Sequence, residues 1–180
     1  MSKFEIAKQK FAQLISQSKS EEDPSHAENV LHWLQELKPD ADEVLQLAAF
    51  AHDVERALPD RHQAESFLSY HEYKKAHAER GGKMAYKVLL EAGYSKDDSK
   101  RIAKIIEAAE FVSDNPDVQL ICDADSISFF DNNAPFYLSR KGPEITRQKM
   151  VFMFKRASPR AKQEIEKILA KHPKIDLIKS

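Results

Sequence analysis

The chain has 180 residues, of which 42% are hydrophobic and 32% are charged, and its formal net charge is −1 at pH 7. This length is sufficient for a single domain with its own core, and only 4 glycines and 8 prolines exclude a collagen-like or low-complexity chain. No apolar run reaches the roughly 20 residues of a membrane span and the start has no signal-peptide core, so we expect a cytoplasmic protein without a membrane partner.

The N-terminal part of the chain predicts two amphipathic helices. Apolar residues recur at spacings of three and four within residues 4–15. A second helix should begin at Asp23 or Ser25, with Pro24 in its first turn, and end at Lys38-Pro39.

A third helix is predicted from the run 44–51, which is apolar on nearly every side and is therefore typical of a central core helix. Asp40 or Asp42 can cap its start, and Pro59 is expected to end it. The run places the pair His52-Asp53 near its C-terminal end.

Two further segments follow in the middle of the chain. Residues 63–92 predict one or two helices, interrupted or weakened at Gly81-Gly82. Ser95 followed by Asp98 predicts the cap of another helix, whose apolar residues extend to Ala109.

The last third is less regular. Residues 118–137 fit a short strand or a buried helix, and helical spacing favours the helix. Cys122 has no internal partner, so we expect a buried thiol in a reducing compartment. Residues 144–170 predict one or two helices with a junction at Ser158-Pro159, followed by a peripheral tail after His172-Pro173. The whole pattern predicts an all-α bundle of roughly seven or eight helices in one domain, residues 1–180.

The charges are unevenly distributed. Residues 1–139 carry 16 Lys and Arg against 25 Asp and Glu, whereas residues 140–180 carry 12 against 4. Such basic helices attract an anionic substrate or nucleic acid, or they form the solvated face of terminal helices that complement an acidic body. We favour the second interpretation.

Four acidic and imidazole side chains interrupt or end apolar runs, namely His26, the pair His52-Asp53, and Asp125. Imidazole nitrogens with carboxylate oxygens suit a divalent ion such as manganese, iron, cobalt, nickel, zinc or magnesium. Adjacent helical residues point about 100° apart, so His52 and Asp53 would bind one ion lying between their directions.

The order H…HD…D across predicted helices resembles the HD-domain superfamily of metal-dependent phosphohydrolases, over residues 23–131. Residues 77–94, HAERGGKMAYKVLLEAGY, resemble the HxxxG segment of several branches, whose histidine contacts a second metal or the substrate phosphate. HDVER with YHEYKKAHAE also resembles an uncharacterised HD-type family. The resemblance implies an HD-domain-like helical bundle with the metal ligands His26, His52, Asp53 and Asp125.

The resemblance also implies roles near the metal. Asp53 would orient or deprotonate the attacking water, and Glu55 would act as a proton shuttle, unless it pairs with Arg56 or solvent. Arg56 takes the place of a phosphate-contacting lysine of related branches, where its guanidinium can hold two phosphate oxygens. His77 would contact the substrate phosphate.

Two positions leave alternatives open. Binuclear branches carry a further histidine where this chain has residues 108–110, Ala-Ala-Glu, so Glu110 or Glu107 would supply a carboxylate there or be an exposed helical glutamate. In the DAD sequence, Asp123 is the alternative to Asp125 as the last ligand.

The implied function is hydrolysis of a phosphate ester, above all a nucleotide, by a metal-activated water. One alternative is a module that binds a metal or a nucleotide without catalysis. Another is a nuclease-like nucleic-acid binder that uses the basic residues 140–179. We expect Phe152 and Phe154 to pack inward, which leaves the second alternative without a stacking surface.

Overall fold

The computed structural model describes residues 1–172, which contain eight α-helices and no strand. The helices are α1 (Lys3–Ile15), α2 (Asp23–Leu37), α3 (Glu43–Ala51), α4 (Tyr70–Glu91), α5 (Lys96–Ala108), α6 (Pro116–Ser128), α7 (Ala134–Arg156) and α8 (Pro159–Lys171). Short helical turns lie between them at Val54–Ala57, Ala64–Ser66 and Phe129–Asn133. The all-α bundle is thus confirmed, while the predicted peripheral tail lies outside the described residues.

Helix α3 is the centre of the core, as its sequence predicts. Seven of its nine residues are buried, and it packs against α1, α2, α4, α5 and α6. The Asp42 side chain caps it by accepting a hydrogen bond from the Leu45 amide at 2.9 Å. The prediction that Pro59 ends this helix is wrong, because α3 ends at Ala51 and the chain turns so that Val54 is fully buried near α1.

Helices α4 and α5 form the most extensive pair of neighbours in the described part of the chain. The predicted interruption at Gly81-Gly82 is wrong, since α4 continues through both glycines. A Cβ on Gly82 would lie 2.8 Å from the Ala103 carbonyl oxygen. The glycine therefore lets the two helix backbones approach closely rather than ending a helix.

The C-terminal helices fold back over this core. Residues 118–137 are helical, as favoured, but α6 joins α7 through the π-helical turn, and α7 begins ten residues earlier than predicted. It bends at Gly142, whose φ of 77° suits glycine. The thiol of Cys122 is buried, as expected. Phe154 packs against the core, but Phe152 is 39% exposed, so the inward packing predicted for both is wrong for Phe152.

The junction before α8 matches the prediction, with Ser158 accepting a hydrogen bond from the Ala161 amide at 3.3 Å. Among residues 1–172, no helix combines the length and apolar character needed to cross a membrane.

Candidate metal centre

Six imidazole and carboxylate side chains from five segments of the bundle converge beside one cavity. They form two trios, and within each trio the potential ligand atoms all lie within 4.8 Å of one another. The first trio is His26, His52 and Asp125, and the second trio is Asp53, His77 and Glu110. Three of the four predicted ligands, His26, His52 and Asp125, thus share the first trio, whereas Asp53 lies in the second trio with His77 and Glu110.

The first trio directs two imidazole nitrogens at one carboxylate oxygen. Asp125 Oδ1 lies 3.1 Å from His26 Nε2 and 3.4 Å from His52 Nε2. His52 Nδ1 donates a hydrogen bond to the Ala49 carbonyl at 2.9 Å, and His26 Nδ1 lies 2.8 Å from Ser128 Oγ. These contacts hold both rings with Nε2 facing the centre of the trio.

The first trio fits a divalent cation. His52 Nε2 is buried and has no hydrogen-bond partner among the described residues, although an unsatisfied buried polar atom is costly. A cation that accepts this lone pair removes the cost. Two imidazoles with one carboxylate are also a common donor set for zinc, manganese, iron, cobalt and nickel.

The charges around the first trio suit a cation as well. Burial lowers the pKa of His52, but Asp53 and Asp125 outweigh burial and raise that pKa to about 9. Burial raises the pKa of Asp125, but Arg156 and His52 outweigh it and hold that pKa well below its usual value. Without a metal, a proton on His52 therefore supplies the positive charge that the carboxylates attract.

Asp125, rather than its alternative Asp123, faces the trio. Asp123 Oδ1 points away and accepts hydrogen bonds from the Ser158 amide at 2.8 Å and from Gln119 Nε2 at 2.9 Å. The outer oxygen of Asp125, Oδ2, is bound by the buried guanidinium of Arg156. This ion pair leaves Oδ1 free for the centre.

The second trio is connected to the first through Asp53. His77 Nε2 lies 3.0 Å from Asp53 Oδ1 and 3.6 Å from Glu110 Oε1. The other oxygen of Asp53, Oδ2, is 3.7 Å from His52 Nε2. Glu110, rather than Glu107, supplies the extra carboxylate.

The structure does not favour the predicted proton shuttle, Glu55. Its side chain is 1% exposed and is not one of the side chains that line the cavity. Glu55 Oε2 accepts a hydrogen bond from His77 Nδ1 at 2.7 Å, and Oε1 accepts one from the His62 amide at 2.7 Å. Both oxygens are used, so Glu55 orients His77 and pairs with neither Arg56 nor solvent.

Arg56 lies beside the trios, where a phosphate-binding residue was predicted. Its Nη1 is 3.2 Å from Asp53 Oδ2, and its Nη2 is 2.9 Å from Asp23 Oδ1. Its guanidinium also lines the cavity. Arg56 is therefore held in place by two carboxylates.

Comparison with known proteins gives one family. A family model described as a domain of unknown function, DUF4202, matches residues 6–178. The chain belongs to the DUF4202 family. Searches of the curated proteins and of the solved structures found no match.

In this DUF4202 domain, every member of the two trios except His52 lines a cavity of about 680 Å³. Lys149, from α7, lines the cavity with its Nζ 5.9 Å from the centre of the Phe129 ring, and no carboxylate of the described residues lies within 4 Å of it. Burial, with Lys74 and Arg156 nearby, lowers the pKa of Lys149 to about 8. The aromatic side chains of the wall are Tyr70, Tyr73, Phe129 and Tyr137.

Sequence reasoning missed Lys74, Lys149 and Arg156, which lie outside the HD motif. One signal was available for Arg156, because the buried face of α7 follows residues 146, 150, 153 and 156 at helical spacing. An arginine on an otherwise buried helix face requires an anionic partner, which is Asp125 here.

Proposed function

We propose that this DUF4202 protein is a metal-dependent phosphohydrolase acting on a phosphate ester, specifically a nucleotide. The observation that carries the proposal is the unsatisfied, buried His52 Nε2, which faces Asp125 beside a cavity with cationic and aromatic walls. Metal-ligand chemistry and phosphate-binding chemistry thus meet at one place.

The first trio would hold the ion, with Asp53 as a further ligand on the side of His52. A divalent ion bound there lowers the pKa of a bound water and polarises a phosphoryl oxygen. The donor set accommodates manganese, iron, cobalt, nickel or zinc, and magnesium is less suited to two imidazoles.

Asp53 is the residue that would orient the attacking water. Burial raises the pKa of Asp53, but His52 and Arg56 outweigh burial and hold it well below its usual value. Asp53 is therefore an ionised carboxylate at neutral pH, and it can accept a hydrogen bond from the water.

Arg56 and His77 would neutralise charge that develops on the phosphoryl oxygens. Both lie beside Asp53, and both line the cavity. Burial lowers the pKa of His77, but hydrogen bonds to Asp53 and Glu55 raise it above its ordinary value. The guanidinium of Arg56 supplies fixed positive charge where the reaction needs it, and His77 contacts the other oxygen of Asp53.

The cavity favours a small organic phosphate. Its volume lies within the range of roughly 300–1,000 Å³ that small-molecule sites occupy. Tyrosine rings in its wall offer a stacking surface for a base, and its lysines and arginines offer charge for phosphate. The choice of a nucleotide rests on this chemistry together with the HD resemblance, which is an argument by analogy.

Nucleic acid is a less suitable substrate, because two arginines of α7 are already paired with carboxylates. Arg156 is buried against Asp125, and Arg140 is paired with Glu22. These charges complement the acidic body, so they are not available to bind a phosphate backbone.

Phosphate release from a nucleotide panel tests the proposal. Protein stripped with a chelator and reloaded with manganese, cobalt or nickel should hydrolyse at least one nucleotide, and His52→Ala and Asp125→Asn should each reduce turnover by more than about 100-fold. His32→Ala, at an exposed histidine, is the matched control and should leave turnover unchanged. Equal turnover in the wild type and in His52→Ala would contradict the proposal, and binding without turnover would favour the non-catalytic module.

A further inference from the structure

The second trio already contains a positive charge from the protein itself. Lys74 lies one helical turn before His77 on α4, and its Nζ is 2.5 Å from Glu110 Oε1. The same oxygen faces His77 Nε2 at 3.6 Å. Because the side chains of Lys74 and Glu110 are only 14% and 11% exposed, solvent screens this ion pair poorly.

The first trio also has a neighbouring cation, Arg156, but this cation contacts a carboxylate oxygen that does not face the trio. Arg156 binds Asp125 on Oδ2, while Oδ1 faces His26 and His52. The ligand oxygen of the first trio is thus open to a metal. In the second trio, the ammonium of Lys74 takes the ligand oxygen itself.

The histidines of the two trios also differ in whether their ring nitrogens already have hydrogen-bond partners. His77 has both nitrogens hydrogen-bonded to carboxylates, Nδ1 to Glu55 at 2.7 Å and Nε2 to Asp53 at 3.0 Å. His52 Nε2, by contrast, has no partner in the described residues. Only the first trio therefore has a buried lone pair that needs a cation.

The charges of the second trio are also balanced without a metal. Its two carboxylates, Asp53 and Glu110, are paired with Arg56 and Lys74 respectively. A divalent ion entering this trio would lie next to two fixed cations, and it would have to displace the ammonium of Lys74 from Glu110.

We infer that Lys74 occupies the second trio in place of a metal ion, so that the protein binds one divalent ion, at the first trio. The inference rests on the metal of the proposed function, and it names the residue that sets the number of ions. It makes Lys74 a specificity-determining residue, because removing its charge opens the second trio to a second ion.

Equilibrium dialysis against Mn²⁺, with elemental analysis of ions per chain, tests the inference. The chelator-stripped wild type should bind one ion per chain, and Lys74→Met should bind two. The second ion should be lost in Lys74→Met/His77→Ala, while the first remains. Electron paramagnetic resonance should change from the spectrum of an isolated Mn²⁺ to that of a coupled pair.

Three controls separate charge from other effects of the substitution. Lys74→Arg keeps the positive charge, and Lys141→Met removes a charge from an exposed lysine of the cavity wall, so both should still bind one ion. His77→Ala in the wild-type background should also leave the count at one, a result that does not depend on Lys74→Met folding.

The possible results are distinguishable. Two ions in the wild type, or one ion in a folded Lys74→Met, would overturn the inference and leave the proposed function intact. No ion in either protein would overturn both.

Discussion

Lys149 is a half-buried lysine whose charge depends on pH near neutrality. Its ammonium lies 5.9 Å and 5.2 Å from the centres of the Phe129 and Phe152 rings, and burial lowers its pKa to about 8. Below pH 8 Lys149 is therefore charged and attracts an anion in the cavity, and above pH 8 this attraction is lost.

Anion binding should show this titration. Sulfate keeps its charge over this range, so its affinity for the stripped protein should fall about tenfold between pH 7 and pH 9 as Lys149 loses its proton. In Lys149→Arg the side chain stays charged, and the affinity should fall much less. Isothermal titration calorimetry measures both, and an identical pH dependence in the two proteins would show that another group is responsible.

Arg156 compensates a carboxylate that the fold buries. Arg156→Met should leave Asp125 without its partner, which costs about 3–5 kcal/mol in the free energy of unfolding without metal. Added Mn²⁺ should restore part of this loss, because a cation at the first trio replaces the missing charge. Denaturant unfolding with and without the ion measures both effects.

Arg147→Met is the matched control on the same helix. Arg147 is 45% exposed, and its contact with Glu144 is at the surface, so its loss should change the free energy of unfolding by no more than about 0.5 kcal/mol. A similar cost for both substitutions would show that the Arg156–Asp125 pair has no special role.

At the level of helices, the close approach of α4 and α5 makes two adjacent glycines unequal. In Gly82→Ala the new Cβ would meet the Ala103 carbonyl oxygen at 2.8 Å, and we expect a loss of about 1–3 kcal/mol in the free energy of unfolding. In Gly81→Ala the nearest atom, on Ile106, is 3.5 Å away, so the better helix propensity of alanine should offset any cost. Thermal unfolding compares the two, and equal stability would contradict the packing explanation.

Helix starts that depend on a local cap were predictable from the sequence. Asp42, Ser95 and Ser158 cap the helices that follow them, because capping involves only a few neighbouring residues. The end of α3 at Ala51 and the continuity of α4 through Gly82 depend instead on packing between distant segments, which local patterns do not contain.

The same distinction applies to the site. The four predicted ligands follow a motif of fixed order, so the sequence was sufficient to propose them together. Lys74 and Arg156 have their roles only through ion pairs with Glu110, just after α5, and with Asp125 of α6. The contacts of Glu55 could not be predicted for a related reason, since only the fold shows that both of its oxygens accept hydrogen bonds.

At the scale of the whole molecule, arginines of the C-terminal helices α7 and α8 connect these helices to the rest of the bundle. Arg140 and Arg156 of α7 bind Glu22 and Asp125, and Arg160 of α8 donates to the Leu37 carbonyl at the end of α2. Helix α7 therefore completes the wall of the cavity and the surroundings of the first trio.

The position of a bound ion tests the metal centre most directly. In a crystal of the protein grown with Mn²⁺, an anomalous difference map should show a peak about 2 Å from His26 Nε2, His52 Nε2 and Asp125 Oδ1. A peak bound to other side chains, or no peak at these three atoms in a crystal saturated with the ion, would contradict the assignment.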